Sequence, residues 1–152
     1  KYKYIKESYV DYTTEMKIIC NKHGEFYMKP HTHYSMKAGC PVCKSSKGEI
    51  SIKDYLDDNN IEFERQKTFE GLKGVNKLRC DYYIPSKNLI IEFNGRQHYE
   101  AIELWGGVKS FKILQKNDAL KKEFCLNNKI NFEVIKYDED VVERMEEIIS
   151  KY

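Results

Sequence analysis

The sequence predicts an α/β chain: a mixed sheet flanked by helices, preceded by a small module built around cysteine and histidine. Three observations carry this reading. Two short β-prone runs, residues 80–84 and 88–93, are separated by Pro85-Ser86-Lys87, a triplet that reads as a hairpin turn. Around them, residues 47–58, 109–127 and 141–150 carry apolar side chains at helical spacing. Ahead of them, three of the five cysteines fall within residues 20–43, in Cys-x-x-His and Cys-x-x-Cys pairs.

Bulk properties narrow the function classes. With 41% hydrophobic residues, the chain has enough apolar material for a packed core. No apolar run approaches the ~20 residues that span a bilayer, and no secretory signal is visible, so no membrane partner is expected and the protein is read as cytoplasmic. The chain begins at Lys1 without an initiator Met and reads as a fragment, or as a chain whose first residues are missing. Its formal charge of +2 hides an asymmetry: residues 1–48 hold nine Lys against four acids, net +5, and residues 49–152 seventeen Lys and Arg against twenty acids, net −3. A basic leader on an acidic body suits a protein that holds a polyanion and cuts it, although charges this modest also suit an ordinary intracellular protein.

Residues 1–14 alternate Tyr and Ile with Lys and read as a strand or an extended arm. The interleaving suits phosphate contacts and base stacking, and equally an edge strand. From Met16 a short strand leads into Cys20-x-x-His23-Gly24, residues 25–28 return, and Gly39-Cys40-Pro41-Val42-Cys43 closes the unit. Each knuckle brings two ligands together, and two knuckles complete a tetrahedron, so Cys20, His23, Cys40 and Cys43 are the expected ligands of a structural zinc, with His33 able to replace His23. Such a segment is too small and polar to hold a core without a staple. Cys80 and Cys125, in apolar surroundings, read as small core residues.

Lys44-Ser45-Ser46-Lys47-Gly48 is a polar hinge, which divides the chain into a module at 1–46 and a domain at 47–152. Ile52, Tyr55 and Leu56 form the stripe of the first long helix, which Asn59-Asn60 stops; Glu49 in its first turn complements the helix dipole. Residues 61–69 alternate as an edge strand and turn at Gly71–Gly74 into the run holding Asp81, so a three-stranded antiparallel meander is expected. The stretch 99–107, with Trp105, is long for a tight loop; Trp105 reads as a packing or base-stacking group. The helix at 109–127 turns Phe111, Leu114, Leu120 and Phe124 inward and holds Asp118 and Lys121 at a spacing that suits an i,i+3 pair, or contact with the polar cluster around Gln97 and His98. A strand at 131–136 and a helix at 141–150 complete the chain.

Within this frame Asp81 and Glu92 stand on neighbouring hairpin strands, and Leu89-Ile90-Ile91 is continuously apolar, as in a strand covered on both faces. A carboxylate ending such a strand is costly to bury unless a cation or donor meets it, and the polar cluster Asn94-Gly95-Arg96-Gln97-His98 follows directly. Two such acids suggest a hard divalent ion on oxygen ligands. Asp81, eleven positions, then Glu92-Phe93-Asn94-Gly95-x-Gln97-His98 resembles the PD-(D/E)xK nuclease superfamily, nearest the branch related to very-short-patch-repair and phage homing endonucleases. The Cys-x-x-His-Gly-x-Phe and Gly-Cys-Pro-x-Cys segments resemble the zinc ribbons that often precede such domains.

The resemblance implies a restriction-endonuclease-like mixed sheet flanked by helices. It implies a Mg²⁺- or Mn²⁺-dependent endodeoxyribonuclease acting on DNA, double-stranded by preference and possessed by a phage or mobile element. Asp81, Glu92 and the Phe93 carbonyl then hold the metal. Gln97 or His98 orients the attacking water, or His98 protonates the leaving oxygen. Glu49 approaches the metal site, and Lys121 and Arg96 contact the phosphate. The motif's lysine would fall at Asn94, a departure that leaves open which group assists the water. The alternatives are a nucleic-acid-binding module on a nuclease fold without its chemistry, and an RNA-directed nuclease.

Overall fold

The computed structural model describes the backbone of all 152 residues and the side chains of all but Lys44 and Trp105; expectations for the Trp105 side chain therefore lie outside the described residues. The chain divides into two compact units, Lys1–Ser46 and Lys47–Tyr152. No helix among the described residues is long and apolar enough to cross a membrane.

The first unit is a three-stranded antiparallel sheet in the order β1 (Tyr2–Tyr4), β2 (Met16–Cys20), β3 (Gly24–Met28). β2 alternates buried Met16, Ile18 and Cys20 with half-buried Lys17 and Ile19, the period-2 pattern of a strand with one covered face. Gly24, at φ +74°, makes the turn back from the first knuckle. Two short helices unread in the sequence follow, α1 (Pro30–Tyr34) and α2 (Pro41–Lys44). Each opens on proline, whose fixed φ and missing N–H suit a first helical position.

The second unit is a four-stranded mixed sheet in the order β4 (Glu64–Lys67), β5 (Cys80–Ile84), β6 (Leu89–Asn94), β7 (Asn131–Lys136). β4, β5 and β6 form the antiparallel meander, and β7 lies parallel to β6. A parallel neighbour needs a crossover, which α4 (Gly107–Asn127) supplies. On one face α3 (Lys47–Asp58) and α5 (Val141–Lys151) cover Tyr82, Ile84, Leu89, Ile91 and Ile135 with Ile52, Leu56, Met145 and Ile148. On the other, Cys125 and Phe124 of α4 pack with Leu72, Cys80 and Ile90. β6 is therefore covered on both sides, which is why its run is apolar without alternation.

Three details differ from the sequence expectation. β4 is four residues long rather than nine, and Gln66 within it adopts φ +51°. α4 begins at Gly107, two residues earlier than the apolar period suggests. The stretch at 99–107 is not wholly irregular, since Glu103–Trp105 winds into a single 3-10 turn.

One close approach fixes the sheet end. A Cβ built on Gly48 would lie 2.0 Å from the Phe93 ring, so only glycine lets the start of α3 sit against β6 there. The Tyr82 hydroxyl donates to the Glu49 carbonyl at 2.7 Å, tying the same turn to β5. Gly48→Ala should therefore destabilise the chain by about 1–3 kcal/mol, as overpacking does; a urea midpoint equal to wild type would show that the turn can retreat.

Candidate functional site

At the β5–β6 pair the ladder runs Ile84↔Leu89, Tyr83↔Ile90, Tyr82↔Ile91. In the same register Asp81 stands opposite Glu92, and here side chains take over the hydrogen bonding. The Glu92 Oε1 accepts the Asp81 main-chain N–H at 3.3 Å, and the Asp81 Oδ2 accepts the Phe93 main-chain N–H at 3.0 Å. Each carboxylate thus occupies the other strand's backbone. Across β4, Gln66 Nε2 donates to Asp81 Oδ1 at 3.2 Å, the left-handed Gln66 lying where the alternation of β5 also breaks: Cys80 packs on the α4 side and Tyr82 on the other.

A cation completes the pair. Lys121, from α4, places Nζ 2.6 Å from Glu92 Oε2, with only 12% and 5% of the two side chains exposed. Asp118 and Lys121 do not pair with each other among the described residues. Asp118 Oδ2 lies 2.7 Å from His98 Nδ1, while Lys121 serves Glu92. The i,i+3 spacing sets both on the sheet-facing stripe of α4, where two different partners meet them.

Burial and the neighbouring Asp81 charge push the Glu92 carboxyl up to about 7, against the pull of Lys121. Burial raises Asp81 as well, opposed by the Phe93 amide. Burial alone would lower Lys121, but Glu92 and Asp81 outweigh it and the ammonium is held charged. Two crowded acids sharing one ammonium remain short of positive charge.

The other expected residues are placed as follows. Glu49 Oε2 is 4.0 Å from Arg65. Asn94, where the motif's lysine would fall, is buried, and its side chain hydrogen-bonds Tyr99. Gln97 folds over Gly95, where an added Cβ would meet its carboxamide at 2.5 Å, and lines a cavity of about 220 Å³ with Gly107 and Phe111. It makes no hydrogen bond to Asp81 or Glu92 among the described residues. Arg96 pairs with Glu100 on the surface. Gln66 was missed by sequence reading; the one available signal was a glutamine opposite a candidate acid in an otherwise charged edge strand.

In the first unit Cys20, His23, Cys40 and Cys43 offer one ligand atom each, all within 4.8 Å of one another, a group that could hold a metal ion such as zinc. His23 Nδ1 lies 3.8, 3.7 and 3.2 Å from the sulfurs of Cys20, Cys40 and Cys43, and Cys20 Sγ is 3.6 Å from Cys43 Sγ. Neighbouring ligands of a tetrahedral zinc, with bonds of about 2.3 Å to S and 2.0 Å to N, lie about 3.5–3.8 Å apart. Main-chain N–H groups of Lys22 and His23 point to Cys20 and draw its thiol down to about 6. His33 is not in the group: it is buried beside the Tyr2 ring at 4.8 Å, and its Nε2 meets the Tyr4 hydroxyl at 3.2 Å.

Residues 1–44 match a family described as a protein of unknown function, DUF723. The chain is 28% identical to an uncharacterized protein, 307L, of Invertebrate iridescent virus 6, over 136 residues covering 82% of this chain and 68% of the viral one. No solved structure matches it.

Two outcomes follow from this geometry. His23→Ala should lower the bound zinc per chain measured by atomic emission, whereas His33→Ala should leave it unchanged; the reverse result would exchange their roles. In magnesium-free buffer Glu92 binds its proton more tightly folded, about 7, than unfolded, near 4.5. The stability it contributes is therefore full below its unfolded value and lost as pH rises through the folded one. The urea midpoint of wild type should fall relative to Glu92→Gln over that interval, and a constant difference would contradict the raised carboxyl.

Proposed function

We propose that the second unit is a metal-dependent endonuclease that hydrolyses DNA phosphodiesters, on a restriction-endonuclease-like sheet, and that the first is a zinc-stapled module that helps grip the nucleic acid. The observation that carries the reading is the meeting of Asp81, Glu92 and Lys121, from two strands and a helix, where the β5–β6 ladder gives way to side chains. A structural role alone would be served better by an apolar pair, since desolvating three charges is costly.

The donor set fits a hard divalent ion. Asp81 and Glu92 offer only oxygen, Glu92 buried and Asp81 half-buried; they crowd one another, and each oxygen keeps a lone pair beyond its present hydrogen bond. Asp81, Glu92 and the Phe93 carbonyl would hold Mg²⁺ or Mn²⁺. When bound, such an ion polarises the phosphate and makes water a better nucleophile.

The chain's own groups do the remainder. Lys121 stands against Glu92, where its ammonium can meet charge developing on a phosphate oxygen. It supplies from α4 the positive group that Asn94 does not, which weakens the ground for an inactive binding module. Asp118 occupies His98 Nδ1 and so leaves Nε2 to orient the water or to protonate the leaving oxygen. Gln97 and Glu49 act, on this reading, on water and substrate at the rim of the site. Arg96 offers a further contact to phosphate.

Incubating supercoiled plasmid with the full chain and Mg²⁺ should give nicked and linear products. Glu92→Gln and Lys121→Met should each lower the rate at least ~100-fold. Equal nicking by wild type and variants, or none by either, would remove the hydrolase.

A further inference from the structure

The first unit exposes tyrosines that neither its core nor its Cys/His group uses. Tyr4, Tyr9, Tyr12 and Tyr34 stand with His33 around a cavity of about 260 Å³ floored by Ile18. A second cavity of about 350 Å³ shares Tyr4, His33 and Tyr34 and is flanked by Lys1 and Lys37. Tyr34 is 81% exposed and Tyr9 51%, so ring surface faces solvent rather than filling the unit. In the wall common to both cavities, His33 Nδ1 is buried without a hydrogen-bond partner.

The chemistry selects the occupant. Flat aromatic walls over an apolar floor suit a planar π-system, and the surrounding charge asks for an anion: residues 1–46 hold eight Lys against four acids. A nucleotide joins both properties in one ligand. The bases of a duplex already stack on each other and offer their faces to nothing else, whereas those of an unpaired strand are free to lie on tyrosine. Open, shallow spaces near the ~300 Å³ lower end of small-molecule pockets suit successive bases of a strand better than an enclosed metabolite.

We propose that this tyrosine cleft binds the unpaired bases of a single-stranded nucleic acid, with Lys1 and Lys37 on the flanking phosphates. The proposal rests on the reading of the first unit as a nucleic-acid grip and is independent of hydrolysis by the second. The larger cavity reaches Cys43 of the metal group, whereas the cavity that Tyr9 and Tyr12 line touches none of the four ligands.

The test is fluorescence anisotropy with the zinc-loaded full chain, without magnesium, titrated into labelled oligothymidylate and into a duplex of equal length. Single strand should bind tighter than duplex. Tyr9→Ala and Tyr34→Ala should each weaken it about tenfold, while Tyr34→Phe, which keeps the ring face, should not. Lys37→Ala should reduce the slope of log affinity against log salt by about 0.7. Zinc content measured in every variant separates lost contact from a lost fold. Binding that ignores the tyrosines, or that favours duplex, overturns the cleft and leaves the grip standing. Binding to neither probe overturns both, and plasmid nicking then judges the hydrolase by itself.

Discussion

The second unit depends on a substitution within its own sheet: where β5 and β6 would continue their ladder, Glu92 takes the Asp81 amide and Asp81 takes the Phe93 amide. Main-chain donors buried in a sheet must be met. Meeting them with carboxylates satisfies that demand and also concentrates negative charge at one point. Lys121 answers part of it, and burial together with the Asp81 charge still holds the Glu92 carboxyl raised. The surrounding architecture serves this point. Gly48 admits α3 against Phe93, Tyr82 holds the Glu49 turn, and the crossover through α4 returns a lysine to the strand that preceded it.

The first unit relies on a different principle. Its sheet has three strands and a thin core, and three sulfurs and one imidazole nitrogen gather within 4.8 Å of one another. Proline begins each short helix, and Pro41 converts Cys-x-x-Cys into one turn that carries Cys43 back toward Cys20. Local turns assemble the ligand set and little else is required of the chain, which leaves many tyrosines at the surface.

Much of this was legible in the residues themselves. The apolar run at Leu89–Ile91 announced a doubly covered strand, and the spacing of Cys20, His23, Cys40 and Cys43 announced one cluster. The Cys-x-x-His spacing favoured His23 and left His33 as a possible replacement; ring packing against Tyr2 and Tyr4 sets His33 outside the group. Asp118 and Lys121 were visible as an i,i+3 pair or as partners of the cluster around Gln97 and His98; Asp118 does meet His98, while the pairing of Lys121 with Glu92 needed the sheet beneath α4 to show it. Gln66 was invisible because alternation implies an extended backbone, whereas its φ is left-handed. The two short proline-led helices were missed because four or five residues carry no readable period.

Taking the ammonium from a helix rather than from the strand has a topological consequence. On β6, a lysine two places after Glu92 would be held by the pleat, and no change elsewhere could move it. On α4 its position is set by helical phase, and one inserted residue upstream in that helix would carry it about 100° around the axis. The acids and their positive partner are thus separate hereditary units. Asn94 is released to bind Tyr99, and divergence in the crossover can retune the charge balance while the strands keep their register.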